Sequence, residues 1–138
     1  MALMPKRVKY RKYQRGHLRG KASRGNFVAF GEFGIQALDL AHITARQIEA
    51  GRVAATHFLH REGKVYVRMF PHRSVSGKPL ETRMGKGKGE PAYWESRVRA
   101  GAILYEIGGV AEDVAREAML RVAHKMPVRC RFVKRRHA

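Results

Sequence analysis

Arg83-Met84-Gly85-Lys86-Gly87-Lys88-Gly89 is the stretch whose residue types and spacing best suit contact with a charged partner. Alternating glycine admits positive φ and leaves peptide N–H groups uncovered by any Cβ, while the lysines add point charges on long stems. Such a segment can lie against a phosphate backbone; it cannot bury a core. The same residues would also make a plain solvated basic hairpin loop. Catalytic chemistry finds little support. A GxxxxGK[ST] loop cannot be aligned there, because Glu90 follows Gly89 where a helix should begin, and the spacing of a dinucleotide GxGxxG is absent. The chain has no HExxH, no GxSxG and no carboxylate pair spaced for acid–base work. A phosphate-transferring or RNA-modifying enzyme built on this loop would have only Glu90, Glu95 and His72 nearby in sequence. No catalytic residue, metal or cofactor is therefore expected.

The charge balance favours a polyanion as partner. Among 138 residues, 29 Lys+Arg face 11 Asp+Glu, a formal net charge of +18. A compact body with that excess repels itself unless a polyanion neutralises it, and nucleic acid is the leading candidate. A membrane partner is not expected, since no apolar run approaches the ~18–20 residues needed to span a bilayer. Met1 to Pro5 is too short for the apolar region of a signal peptide, so a cytoplasmic location is expected. Cys130 is the only cysteine, which excludes disulfide frameworks and CxxC sites. His57 and His60 lack a carboxylate or cysteine at ligand spacing, so no metal site is expected.

The first 25 residues carry Lys6, Arg7, Lys9, Arg11, Lys12, Arg15, Arg19, Lys21 and Arg24, and no acid; the first acid is Glu32. Tyr10, Tyr13 and three glycines are interleaved with these charges. The segment reads as an RNA-binding arm without its own core, ordered when phosphates neutralise it. A disordered solubility tail is the competing reading.

A folded body must position the loop. Phe27–Leu38 suggests two short strands with a glycine bend, its aromatics serving the core. Residues 44–60 predict a helix, with Thr44 and Gln47 as a capping box and Ile43 and Ile48 as a staple. Ala45, Ile48, Gly51, Ala55, Phe58 and Leu59 form its apolar stripe, leaving Arg46, His57, His60 and Arg61 on the opposite side for a partner. Lys64–Phe70 alternates as a strand. The segment from Pro71 to Pro79 reads as loop, Pro79–Arg83 as a short strand into the glycine–lysine loop, and Tyr93–Val98 as the strand out. Strand Ile103–Ile107 follows. A second helix over 111–125 has acids first and bases last, with Val114, Ala115, Ala118, Met119, Val122 and Met126 as its buried stripe. Val128–Val133 is a final strand, with Cys130 as a small core residue. The expected fold is α+β: two helices on one face of a mainly antiparallel sheet. Residues 1–25 would be the arm, 26–134 a single domain from which loop 83–91 protrudes, and 135–138 a basic tail. Neither the paired helices of a helix-turn-helix nor an RNP1 pattern is present, which leaves recognition of RNA by shape and phosphate. A DNA-compacting protein is a weaker alternative.

Taken together, Met4-Pro5-Lys6-Arg7, Lys9-Tyr10-Arg11-Lys12, Val28-Ala29-Phe30-Gly31, Thr44–Ala50, Lys64–Arg68, Lys78-Pro79-Leu80, Arg83–Gly89 and His124-Lys125-Met126-Pro127 resemble the bacterial large-subunit ribosomal protein L-sixteen family. The match covers essentially the whole chain. The resemblance implies a hammerhead-type body and binding to 23S rRNA near the aminoacyl-tRNA site. It further implies contact with tRNA at the A site and extending toward the P site, neighbouring large-subunit proteins as partners, and a part in late subunit assembly as one copy per ribosome. It would place Arg83, Met84, Gly85, Lys86, Gly87, Lys88 and Gly89 in a loop close to tRNA. Lys6, Arg7, Lys9, Arg11, Lys12, Arg15, Arg46, Arg83, Lys86 and Lys88 would then contact RNA. In some bacteria the family's arginine that matches Arg83 is hydroxylated. Glu90-Pro91 departs from the uncharged or aliphatic residues common in the family, which would stiffen or re-aim the descending side of the loop.

Overall fold

The computed structural model describes residues 3–136. Its elements in chain order are β1 (Phe33–Ala37), β2 (Ala41–Thr44), α1 (Ala45–Phe58), β3 (Lys64–Val67), β4 (Arg73–Gly77), β5 (Glu90–Val98), β6 (Ile103–Gly108), α2 (Glu112–Ala123) and β7 (Cys130–Lys134). The fold is α+β, as expected, but the strands divide into two sheets. One has the order β3-β6-β1-β7 and the other β2-β5-β4, and every strand pair is antiparallel.

Both helices pack on the four-stranded sheet. The stripe Ala45, Ile48, Gly51 and Ala55 of α1 is buried, and Leu59 is buried just beyond its end. Tyr105 of β6 lies beneath this stripe and donates from its hydroxyl to the Ile48 carbonyl at 2.5 Å. Gly51 is required there, because a Cβ would come within 2.5 Å of that hydroxyl. On α2 the buried stripe is Ala115, Ala118, Met119 and Val122. Val114, expected inside, is exposed; it sits about 100° round the helix from Ala115, outside the i, i+3, i+4, i+7 stripe.

The helix start at Thr44 follows the sequence closely. Gln47 N–H donates to Thr44 Oγ1 at 3.3 Å and Thr44 N–H to Gln47 Oε1 at 2.9 Å. The buried Ile43 and Ile48 flank this box. The helix ends earlier than expected, at Phe58, and His60 and Arg61 take left-handed conformations (φ 49° and 67°) that turn the chain toward β3.

Three other expectations need correction. Residues 27–32 are not a strand. Glu106 of β6, fully buried, accepts the N–H groups of Ala29 (2.9 Å), Phe30 (2.7 Å) and Gly31 (3.0 Å), so those donors are unavailable to a ladder. Pro79–Arg83 is not a strand either, and the strand entering the loop is β4, where the sequence reads as loop. The buried residue of β4 is Ser74, and its Arg73 pairs with Glu95 of β5, so it lacks the apolar alternation that marks a strand. The Phe27 and Phe30 rings, read as core, are exposed; only Phe33 is half-buried, stacked on Phe132 at 5.7 Å.

Candidate nucleic-acid interface

Residues 78–89 join β4 to β5, and the pair Gly77↔Glu90 closes the hairpin beneath them. Gly89 sits at this neck, where a Cβ would meet the Gly77 carbonyl oxygen at 2.5 Å. Beyond the neck, Gly85, Lys86 and Gly87 are successive left-handed residues (φ 86°, 62° and 89°). The two glycines have open space around them, so their conformation and not crowding demands glycine. The sequence pointed to left-handed glycines but not to Lys86 sharing that geometry. Lys78 Nζ donates to the Gly85 carbonyl at 2.6 Å and holds the turn. Met84 is 98% exposed and Leu80 fully so. The side chains of Arg83 and Lys86 are exposed and make no hydrogen bond or ion pair with the described residues.

The arm meets this loop. Lys12 Nζ donates to the Lys88 carbonyl at 3.1 Å and lies 3.6 Å from Glu90 Oε1. Reciprocally, Lys88 Nζ donates to the Tyr13 carbonyl. The next stretch of arm is held by the hairpin strands: Arg73 donates to the carbonyls of Gln14 (3.0 Å) and Arg15 (2.8 Å), Arg97 to Arg15, and Ser74 Oγ to Arg11. Farther along, Ala22 N–H donates to the Ala100 carbonyl at 2.9 Å, and Lys21 bridges to Ala100. The arm is therefore tied to the body mostly through its backbone, with Lys12 adding a side-chain contact, while the side chains of Lys6, Arg7, Lys9, Arg11 and Arg15 face solvent. This division is not legible in the sequence, because backbone acceptors carry no residue signature.

The remaining predicted site residue stands apart. Arg46, in the first turn of α1, borders a cavity of about 540 Å³ with Leu3, Met4, Tyr93 and Trp94, beside the start of the arm rather than beside the loop. Of the residues proposed by sequence, the structure brings Lys12 together with Lys88 and holds Arg11 and Arg15 on the hairpin strands beside them, whereas Arg46 stands apart.

The carboxylates that an enzyme would need are engaged. Glu95 is buried between Arg73 (2.5 Å) and His42 (3.0 Å), Glu90 lies on Lys12, and His72 Nδ1 is 3.2 Å from the Phe70 carbonyl. Burial alone would raise the pKa of Glu106, but the three backbone donors and Arg68 Nη1 at 2.6 Å outweigh it and hold the carboxyl below its ordinary value. The half-buried Cys130 donates to the Val128 carbonyl, and burial pushes its thiol up to about 11, which disfavours the reactive thiolate. No group of three or more His, Cys, Asp or Glu that could hold a metal occurs among the described residues, nor a helix long and apolar enough to cross a membrane.

The α+β body pairs seven of its acids with cations of its own and presents solvent-facing cations on the arm and the hairpin tip. Residues 5–133 match the family model described as ribosomal protein L16p/L10e. The chain is 58% identical over its full length, and the relative's full length, to the large ribosomal subunit protein uL16 of Rhodopirellula baltica. It is 56% identical over 133 residues, 96% of this chain and 92% of the relative, to the protein of that name from Heliobacterium modesticaldum. The chain belongs to the ribosomal protein L16p/L10e family, and is a ribosomal protein rather than an enzyme.

Proposed function

We propose that this protein is a structural constituent of the large ribosomal subunit that binds 23S rRNA and supports the aminoacyl-tRNA site. The arm and the 83–89 loop contact RNA, with Arg83, Met84, Lys86 and Lys88 closest to tRNA at the A site and toward the P site. One copy joins each subunit late in its assembly, in the cytoplasm, beside neighbouring large-subunit proteins. Residues 1–25 act as the RNA-binding arm of a single domain spanning 26–134, and 135–138 as a basic tail.

The observation that carries this reading is the joint between arm and loop. Lys12 and Lys88 each donate to a carbonyl of the other's segment, Lys88 and Tyr13, so two basic segments distant in sequence become one surface. Arg83 and Lys86 lie beyond that joint with no partner among the described residues. Glu90 neutralises Lys12 at the neck and leaves the tip positive. Uncommitted cations on an open backbone suit phosphate contact, and such binding weakens steeply with salt.

Sedimentation of cell extract at physiological salt tests the proposal. The protein is expected in large subunits and whole ribosomes, leaving them as salt rises. Recovery only in free fractions, from cells with normal subunits, would overturn it.

A further inference from the structure

The arm lies on the three-stranded sheet although like charge opposes it: residues 1–25 carry nine bases and no acid, and the rest of the chain is positive too. The order β2-β5-β4 leaves β4 at an edge of that sheet, and successive side chains of a strand point to opposite faces. On one face, Ser74 Oγ donates to the Arg11 carbonyl, where Arg11 and Trp94 border one cavity. On the other face, Arg73 donates to the carbonyls of Gln14 and Arg15, and Arg97 of β5 donates to Arg15 as well. Between these points, residues 12 and 13 meet the neck of the hairpin through Lys12 and Lys88. The arm therefore passes from one face of the sheet to the other, round the edge of β4, like a strap.

One carboxylate sets the direction of this grip. Glu95 is on the central strand, directly opposite Arg73 in register. Its Oε1 accepts from Arg73 Nη1 at 2.5 Å and lies 3.0 Å from His42 Nδ1. The two side chains of the Arg73–Glu95 pair are only 11% and 7% exposed, so the pair is held largely out of water. With Nη1 on Glu95, the planar guanidinium aims Nη2 at the two arm carbonyls, 3.0 and 2.8 Å away. Without that carboxylate, Arg73, His42 and Arg97 would share one face with like charge, and nothing would fix the direction of the guanidinium. The body grips residues 11–15 only by their main-chain carbonyls, so the side chains of Arg11 and Arg15 stay free for a partner.

We infer that Glu95 is a positioning residue for the arm: through Arg73 it holds residues 11–15 round the edge of β4 in the free chain, so that arm and loop meet RNA as one preformed unit. The docking itself needs no RNA; only its consequence for affinity rests on the RNA-binding function proposed above. A buried ion pair and main-chain acceptors are screened by salt much less than exposed charge pairs. The strap therefore stays closed at salt concentrations that weaken phosphate contacts.

Trypsin digestion of the free full chain tests the docking. In the wild type, cleavage after Arg11, Lys12 and Arg15 should be slower than after Arg83 and Lys86 at the tip. Glu95→Gln keeps the shape of the side chain and removes its charge. It should speed cleavage at the three arm sites roughly tenfold, because proteolysis follows the population of the open form. Cleavage after Arg116 and Arg121 in α2 should not change. Acrylamide should also quench Trp94, the only tryptophan in the chain, more readily in the variant. Filter binding to in vitro transcribed large-subunit rRNA should weaken roughly tenfold, as the docked, binding-competent fraction falls. A wild-type arm cut as fast as the tip would overturn the inference whether or not the variant folds. So would a variant arm cut no faster than the wild type's, or α2 opening together with the arm, which would make Glu95 a support of the body alone. Release of the arm with rRNA affinity unchanged would overturn the preformed unit. Failure of both chains to bind rRNA would remove the RNA-binding function and leave the docking to stand on the digest.

Discussion

Glu106 and the tip of the 83–89 loop show two opposite treatments of charge in one chain. At Glu106 a fully buried carboxylate is met by Arg68 and three backbone N–H groups, and every contact lies within the protein. At the tip, the exposed Arg83 and Lys86, the latter on a left-handed backbone, have no partner among the described residues. Seven of the acids follow the first pattern: Asp39, Glu49, Glu90, Glu95, Glu106, Glu112 and Glu117 each pair with a cation of the body or arm. With acids placed in the fold, the excess of 29 basic over 11 acidic residues is left for the surface. High net charge here separates two jobs. Seven acids fasten the body or the arm, and uncompensated cations are left at the surface.

Removing the buried carboxylate should have the largest effect on the fold. Glu106→Gln strands Arg68 and weakens the grip on residues 29–31; it should cost about 3 kcal/mol, near the lower end for breaking a buried pair. A thermal melt would show this as a drop of roughly 10 °C. The same contact sets a pH dependence. Because the folded pKa of Glu106 is lowered, its stabilisation is complete above the unfolded carboxylate pKa and is lost as pH falls through the folded value. Melts taken from pH 7 downward should therefore show the gap between wild type and Glu106→Gln narrowing toward the acid end. A constant gap would mean that shape and not charge holds residues 29–31.

Thr44→Ala comes next. Loss of the capping box should cost about 1 kcal/mol, read in the midpoint of urea unfolding with the slope unchanged. Lys88→Ala should be smaller still, on the order of 1–2 °C in melting temperature, because its hydrogen bond to Tyr13 is exposed. Its larger effect should appear as faster proteolysis of the arm. Lys86→Ala should leave the melt unchanged, since nothing in the body touches that side chain. Gly87→Val should also act on RNA binding more than on the melt: a β-branched residue strains at φ 89°, but the space around it is open.

What was legible in the sequence follows the same contrast. The capping box of α1 and the buried part of its apolar stripe are encoded within a few neighbouring residues, and both lie where the sequence puts them. The grip of Glu106 on residues 29–31 links positions 75 or more apart, and no local pattern announces it. Strand β4 was hidden for a related reason: Ser74 and Arg73 are satisfied by the arm and by Glu95, so the strand has polar residues where apolar ones are expected. The split into two sheets was equally illegible, since alternation marks a strand but not its neighbour. Of the site, the cations were legible by type; the arm's docking through carbonyl groups was not.

The central claim is that the tip belongs to the partner and not to the fold. Pairing a thermal melt with large-subunit sedimentation for Arg83→Ala/Lys86→Ala tests it most directly. The double variant should melt within about 1 °C of the wild type and leave large subunits at lower salt than the wild type does. A melt lowered by several degrees, with retention on the subunits unchanged, would contradict the account.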